Sequence, residues 1–467
     1  MRGIIFFLGL PRTSNQVDYG RYLGLSQEDH QNDLTAESVK PKNAIDTIIE
    51  VIVSFSRTTG FRKARLRLMA NKNTSIATHL RFDRVELAGS FGDLGTLLPI
   101  VVAMILINKL SATTVFLGFG LFYLMTGLYY RLPVPVQPLK AVGAIAIAYP
   151  NQITESVIGA AGIIFGFLLL VMSLSGMLDR IARLFTQPVV RGIQLALGLV
   201  FLKKGIELIV TQKLFISGVD GNFSQYSINL VLGSVVFGLV LALLDNKKFP
   251  AALVALAVGI IAGLAFGGFQ GQSFSIGPTA MNLISPSLHD FWIAFIMLIL
   301  PQMPLTIGNA CVGTADTCRS LFPSSPLLSK TTAGRFALTM GIANLPAGFF
   351  GAVPMCHGTG GLAAHYRFGA RTGGAPIMIG IFFVIMALVL GELGLTMLTL
   401  IPNSVLGVLL VFAGLELCPL VRSLQTNEEF FVALLIAGIA LAVPNMAWAF
   451  GIGIAVDLFI RKTKTKI

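Results

Sequence analysis

Two proline-punctuated breaks, set among apolar stretches long enough to cross a bilayer, constrain this chain more than any other feature. They are Val134-Pro135-Val136-Gln137-Pro138-Leu139-Lys140 and its weak echo Val353-Pro354-Met355-Cys356-His357-Gly358-Thr359-Gly360-Gly361. Each is an extended segment that passes at once into small-residue helix. Unpaired backbone groups survive at membrane depth only where they are buried in protein or line a cavity, so two broken spans in corresponding halves point to a transporter's substrate site. The helices that follow present free N–H groups and positive dipole ends, which favours an anion, and Lys140 adds a full positive charge.

Composition agrees about the class. Hydrophobic residues make up 54% of the chain and charged residues 12%, with a mean hydropathy of +0.79, which describes a polytopic membrane protein. The net charge of +12 and pI near 9.7 suggest a nucleic-acid binder, but the basic residues sit at the termini and in short loops rather than in one patch with interleaved aromatics. A lipid bilayer is therefore the expected surrounding, with no nucleic acid. The four cysteines (Cys311, Cys318, Cys356, Cys418) lack zinc-type spacing, so neither a disulfide framework nor a metal is expected, and no motif calls for a cofactor.

Residues 1–83 read as a polar, basic N-terminal tail with an amphipathic piece around 44–55. A transit peptide is one alternative, opposed by Glu28, Asp29, Asp33, Glu37, Asp46 and Glu50, because transit peptides are poor in acids. A working start at Met69 is another. Residues 84–461 form the transmembrane domain and 462–467 a short basic tail. A helical span needs roughly 20 apolar residues. The expected spans are 87–108, 113–130, the half-helix 137–149, 156–178, 188–202, 228–244 and 250–266, then 291–315, 331–350, the half-helix 357–366, 376–390, 398–417, 430–443 and 446–460.

The fold class is thus all-α and polytopic, with about 14 membrane segments. Gly198, Gly205, Glu207 and Leu208 are echoed by Gly407, Gly414, Glu416 and Leu417, and Pro250 with Gly259 by Pro444 with Gly453, which implies a duplication. The repeats fall at 84–267 and 288–461. An odd number of spans per half makes the second copy enter from the opposite side, giving a seven-plus-seven inverted repeat with two half-helices. Charge placement agrees: with both termini cytoplasmic, Arg131, Arg180, Arg183, Lys247, Lys248, Arg319, Lys330, Arg367, Arg371 and Arg422 all lie inside, and the outer segment 267–290 carries no Lys or Arg. The expected location is the plasma (inner) membrane.

The strings ELAGSFGDLGTLLPIVVAM from Glu86, PVPVQPLKAVGAIA from Pro133, LPQMPLTIGNA from Leu300 and VPMCHGTGGLAAHYRFGARTGG from Val353 closely resemble the molybdate-transporter family, a branch related to the sulfate permeases. The resemblance covers residues 84–461. A chain that stops a few residues after its last span fits the molybdate branch better than the larger sulfate permeases, which carry an appended cytoplasmic domain. The resemblance implies a core bundle and a gate bundle, with an oxyanion bound between the tips of the third and tenth spans. The expected function is secondary-active transport of molybdate by alternating access, with sulfate or another oxyanion as the alternative substrate and a homodimer left open.

A tetrahedral dianion needs several N–H or hydroxyl donors and positive charge. Backbone amides at Leu139, Lys140, Thr359 and Gly360 suit that need, and Gly358, Gly360 and Gly361 allow close approach or simply tight helix packing. Lys140 lies one turn inside the third span, where an ionisable group is a functional candidate by default. Gln137 either donates its amide to the anion or caps the break. Gln302, Thr306, Asn309, Gly313 and Asp316 share one face of the eighth span. Gln302, Thr306 and Asn309 are placed near the site, Asp316 near the cytoplasmic end, and a purely structural stripe is the alternative. Asp93, on a face with Ser90, is a candidate coupling carboxylate or partner of Lys140. His357 caps the second break or touches the anion, and His365 is expected at the interface. Cys356 and His357 as nucleophile and base would make an enzyme, but neighbours on an extended segment point to opposite sides, so none is expected.

Overall fold

The computed structural model describes residues 79–178, 180, 186–216, 223–244, 246, 250–266, 276–443 and 445–463. Most of the expected N-terminal tail and part of the outer segment 267–290 lie outside the described residues. The protein is mostly helical.

The first span is broken where a single helix was expected. Helix α1 (Arg84–Ser90) starts on Asp83, whose carboxylate accepts from the amides of Val85 and Glu86. Helix α2 (Leu94–Ile107) follows at a bend of 46°. Gly92 and Asp93, both poor helix formers, sit in the break, which frees the Asp93 side chain to turn inward. Helix α3 (Ala112–Tyr130) begins on the Ser111 side chain and ends at Arg131 in the left-handed region, φ 54°. Strand β1 (Gln137–Pro138) leads into the half-helix α4 (Lys140–Ala148). Then come α5 (Glu155–Ser175), α6 (Gln187–Ile209), α7 (Phe223–Leu243) and α8 (Ala251–Ala265). Helix α6 runs to Ile209 rather than stopping at 202, and its last turns carry the Lys204–Glu207 pair at 3.6 Å.

The second half opens with α9 (Leu288–Leu321), a helix of 34 residues interrupted by π-helical turns at Ala294–Ile299 and Thr306–Gly313. Its start is fixed by a reciprocal cap between Ser287 and Asp290. It is followed by α10 (Ala333–Phe349), strand β2 (Met355–Cys356), the half-helix α11 (Thr359–Arg367), α12 (Gly374–Thr399), α13 (Asn403–Leu417), α14 (Asn427–Ala442) and α15 (Met446–Thr463). Among the described residues, five helices are individually long and apolar enough to cross a membrane.

Three contacts between the halves dominate the packing: α3 against α12, α5 against α10, and α6 against α13. Glycine makes each one close. A Cβ on Gly127 would lie 2.6 Å from the carbonyl oxygen of Gly373, one on Gly166 3.1 Å from that of Gly341, and one on Gly205 2.6 Å from that of Gly407. Backbones that meet this closely gain dispersion contacts in a medium that offers no hydrophobic drive between helices. The two breaks pair as antiparallel strands, Gln137 opposite Cys356 and Pro138 opposite Met355. The Leu139 amide extends the pairing by donating to the Pro354 carbonyl at 2.9 Å.

Candidate functional site

The extended breaks expose carbonyls at membrane depth, and side chains from later in the chain satisfy them. His365 Nδ1 lies 3.0 Å from the Pro133 carbonyl and His357 Nδ1 2.9 Å from that of Pro135, while the Tyr123 hydroxyl donates to Val136 at 2.8 Å. A carbonyl only accepts, so both rings carry their proton on Nδ1. His357 Nε2 must then accept, and the Thr339 hydroxyl supplies the donor at 3.0 Å while itself receiving the Tyr130 hydroxyl at 2.7 Å. The second break is clamped by Asn344, which donates to the Met355 carbonyl and accepts from the Met355 amide, both at 2.7 Å.

This arrangement decides the role of both histidines. His357 is fully buried among Phe122, Tyr130 and Phe336, with both nitrogens used by the protein, so it braces the breaks and does not face a ligand. His365, expected at the interface, is also fully buried, because α11 turns it back onto the first break. The Cys356 thiol points to the Pro138 carbonyl at 3.9 Å and His357 points elsewhere, so they form no nucleophile and base pair.

In front of this frame the polar residues fall into two sets. Gln137 Nε2 donates to both oxygens of Asp93, at 2.8 and 2.7 Å. Gly358 makes room for Gln137 and Gly361 for Asp93: a Cβ on either would collide with the opposing side-chain oxygen, which puts the Asp93 carboxylate at the start of α11. Gln302 accepts from the Ala141 amide at 2.8 Å and donates to Thr306 at 3.0 Å. Both are buried, so Gln302 and Thr306 cap α4 from behind. Asp316 pairs with Arg319 at 2.9 Å on the exposed end of α9. The even spacing of the stripe assumed an α-helical period, and the π turn at Thr306–Gly313 alters it.

The second set lies beside the exposed positions Gly95, Gly360 and Glu416, which mark an opening. Asn309 Oδ1 accepts from the Thr359 hydroxyl at 2.6 Å, and the Asn309 NH₂ has no partner among the described residues. Gly360 is exposed, and a Cβ there would meet nothing within 4 Å; the same holds for Gly95 on α2. The amides of Lys140, Thr359 and Gly360 have no partner among the described residues, whereas that of Leu139 is used by the strand pairing and its side chain is fully buried. Lys140 is half-buried and within electrostatic reach of Asp93 and Glu416. It makes no ion pair within 4.0 Å among the described residues, so Asp93 and Lys140 are neighbours and not a direct salt bridge.

Glu416 and Thr96 were missed by sequence reasoning. Thr96 on α2 donates to Glu416 on α13 at 3.1 Å, and Glu416 is exposed to the opening. The signal was present, since an acid inside the apolar stretch 403–417 is a functional candidate in its own right.

Known proteins share this fold, and others are related to this chain in sequence. The transmembrane domain of the cyanobacterial bicarbonate transporter BicA superposes with a TM-score of 0.60 at 16% identity, covering 79% of this chain and 98% of that one. The murine solute carrier 26 family member A9 anion transporter in its inward-facing state gives 0.59 at 14% identity, covering 98% and 78%. Molybdate transporter 2 of Arabidopsis thaliana is 32% identical over 414 residues, 80% of this chain and 87% of the relative. Molybdate transporter 1 of Chlamydomonas reinhardtii is 26% identical, over 79% and 90%. Residues 85–201 and 294–417 match the family described as molybdate transporter of MFS superfamily, and these two blocks contain both breaks and every polar residue placed around the opening. An integral, multi-pass membrane transporter and not an enzyme, the chain belongs to the molybdate transporter family.

Proposed function

We propose that the protein carries molybdate across its membrane by alternating access, with the anion seated between the starts of α4 and α11. The observation that carries this reading is the convergence of donors on one opening: the Lys140 ammonium, the amides of Lys140, Thr359 and Gly360, and the Asn309 NH₂. Two helix N-termini and one lysine supply the charge that a desolvated dianion requires. Sulfate has the same charge and a similar shape, so it is the expected competitor. Uptake of labelled molybdate by purified protein in liposomes, with sulfate as competitor, tests the assignment, and absence of uptake would refute it.

Asn309 gives a sharper test. A hydrogen bond to a charged group contributes about 1.5–3 kcal/mol, so Asn309→Ala is expected to weaken apparent affinity by roughly tenfold to a hundredfold at normal protein level. Unchanged affinity would return Asn309 to a packing role. Asp93, held by Gln137 at the start of α11, is the candidate for coupling transport to a proton.

The architecture proposed is fourteen segments in two inverted repeats, 84–267 and 288–461. Two features support it. The pairs α3 with α12 and α5 with α10 exchange under such a symmetry, while α6 with α13 maps onto itself. Gly198 is the sequence counterpart of Gly407, yet it packs on Gly414, while Gly205 packs on Gly407, the crossing that a two-fold axis between the helices produces. Both termini are then cytoplasmic, in the plasma (inner) membrane. Ser275 and Lys464, natural probe positions for this topology, lie outside the described residues. Asn282 and Lys462 are exposed substitutes. Asn282→Cys is expected to react with an impermeant maleimide added to intact cells, and Lys462→Cys only after lysis. The reverse pattern would overturn the orientation.

A further inference from the structure

The acids Glu207 and Glu416 occupy matching places in the two halves, but their surroundings differ. Glu207 is paired along its own helix with Lys204, at 3.6 Å. The residue matching Lys204 in the second half is Ala413, so α13 offers Glu416 no such cation, and Glu416 has no ion pair within 4.0 Å among the described residues. Its carboxylate is held instead across a helix boundary by Thr96 on α2, within electrostatic reach of Lys140 on α4. Asp93, the other acid near Lys140, is fixed on Gln137 and the start of α11. Glu416 is therefore the acid near Lys140 carried by the α6–α13 pair, while Lys140, Asp93, Asn309 and Thr359 belong to the helices that build the anion seat.

We infer that Glu416 is an internal stand-in for the transported anion: in the empty protein its carboxylate, oriented by Thr96, compensates Lys140 across the boundary between α13 and the seat. An entering dianion takes over Lys140 and displaces Glu416. The inference rests on the proposed reading that Lys140 faces the transported anion. It assigns Glu416 to the step that reading leaves open, the return of the unloaded protein. Asp93 is turned onto Gln137 and makes no ion pair with Lys140, so the Lys140 charge of the empty seat, costly to move at membrane depth, is left to Glu416, whereas a loaded seat carries its own anion.

The test separates net uptake from exchange. Purified wild type, Glu416→Gln and Thr96→Val are placed in liposomes that are either free of anion or preloaded with unlabelled molybdate, and entry of labelled molybdate is followed. Glu416→Gln keeps an acceptor for Thr96 but removes the charge. It is expected to lower net uptake into anion-free liposomes about tenfold while exchange into preloaded ones persists, and to lower the half-saturating molybdate concentration several-fold, because Lys140 loses a competing anion. Thr96→Val keeps every charge and frees the carboxylate, so the same change is expected at smaller size. A purely structural contact would lower net uptake and exchange together. That result, or wild-type ratios of uptake to exchange in both variants, overturns the inference. If Glu416→Gln fails to insert, the ratio in Thr96→Val decides alone. Failure of the proposed function would show differently, as a wild type that moves no molybdate in either arrangement.

Discussion

Lys140→Gln is expected to abolish molybdate uptake while the protein reaches the membrane in normal amount. Glutamine is one atom shorter and keeps two hydrogen-bond donors, so the main change is the loss of charge. A unit charge about 4 Å from another at an effective dielectric of about 20 interacts by about 4 kcal/mol, and a dianion feels twice that, so a loss beyond roughly a hundredfold in apparent affinity is expected even after partial compensation. Lys140→Arg keeps the charge with a different donor geometry and should retain part of the uptake. The structure also removes a competing explanation. Asp93 takes its hydrogen bonds from Gln137, so losing Lys140 does not strip Asp93 of its partner. Uptake at the wild-type rate by well-inserted Lys140→Gln would sink the anion-site role and leave recognition to the two helix starts.

The second large effect belongs to a residue that touches no ligand. Asn344→Leu preserves approximate volume but leaves the amide and carbonyl of Met355 without their partner at a fully buried position. Each orphaned group costs about 1–3 kcal/mol, so a loss of about 2–6 kcal/mol is expected, enough to collapse the second break. The measurement is thermal unfolding in detergent beside uptake: Asn344→Leu should melt well below wild type and transport nothing, whereas Lys140→Gln should melt like wild type. A wild-type melting curve with full uptake would show that the clamp is dispensable.

Those two residues also mark how far the chain could be read without coordinates. Lys140 was legible because charge in an apolar stretch is rare and the prolines beside it announce a break. The membrane class and both breaks follow from the same local signals. Asn344 carried no comparable signal, since one amide in helix α10 reads as a packing residue until the break it clamps is folded against it. Leu139 and His357 differ for a related reason: the pattern offers the Leu139 amide to the anion, and leaves His357 open between capping the second break and touching the anion. The strand pairing takes the Leu139 amide and the Pro135 carbonyl takes the His357 ring, each from more than two hundred residues away, which no local pattern carries. Gln302 and Thr306 serve the start of α4 through the Ala141 amide and each other, and the π turn that begins at Thr306 breaks the even spacing beyond them.

The pairing of Gln137 with Cys356 also has a meaning for biosynthesis. When the ribosome delivers the first break to the membrane, the groups that will satisfy its carbonyls, His357, His365 and the second strand, have not yet been made. At about 5–20 residues per second, roughly ten to forty seconds separate their synthesis. Throughout that interval the first half holds a polar, unpaired segment that lipid will not tolerate, so it must wait beside water or protein at the insertion machinery. The paired breaks are in this sense assembled late although the first of them is made early, and a chain truncated before residue 353 would contain most of its apolar spans and no partner for the first break.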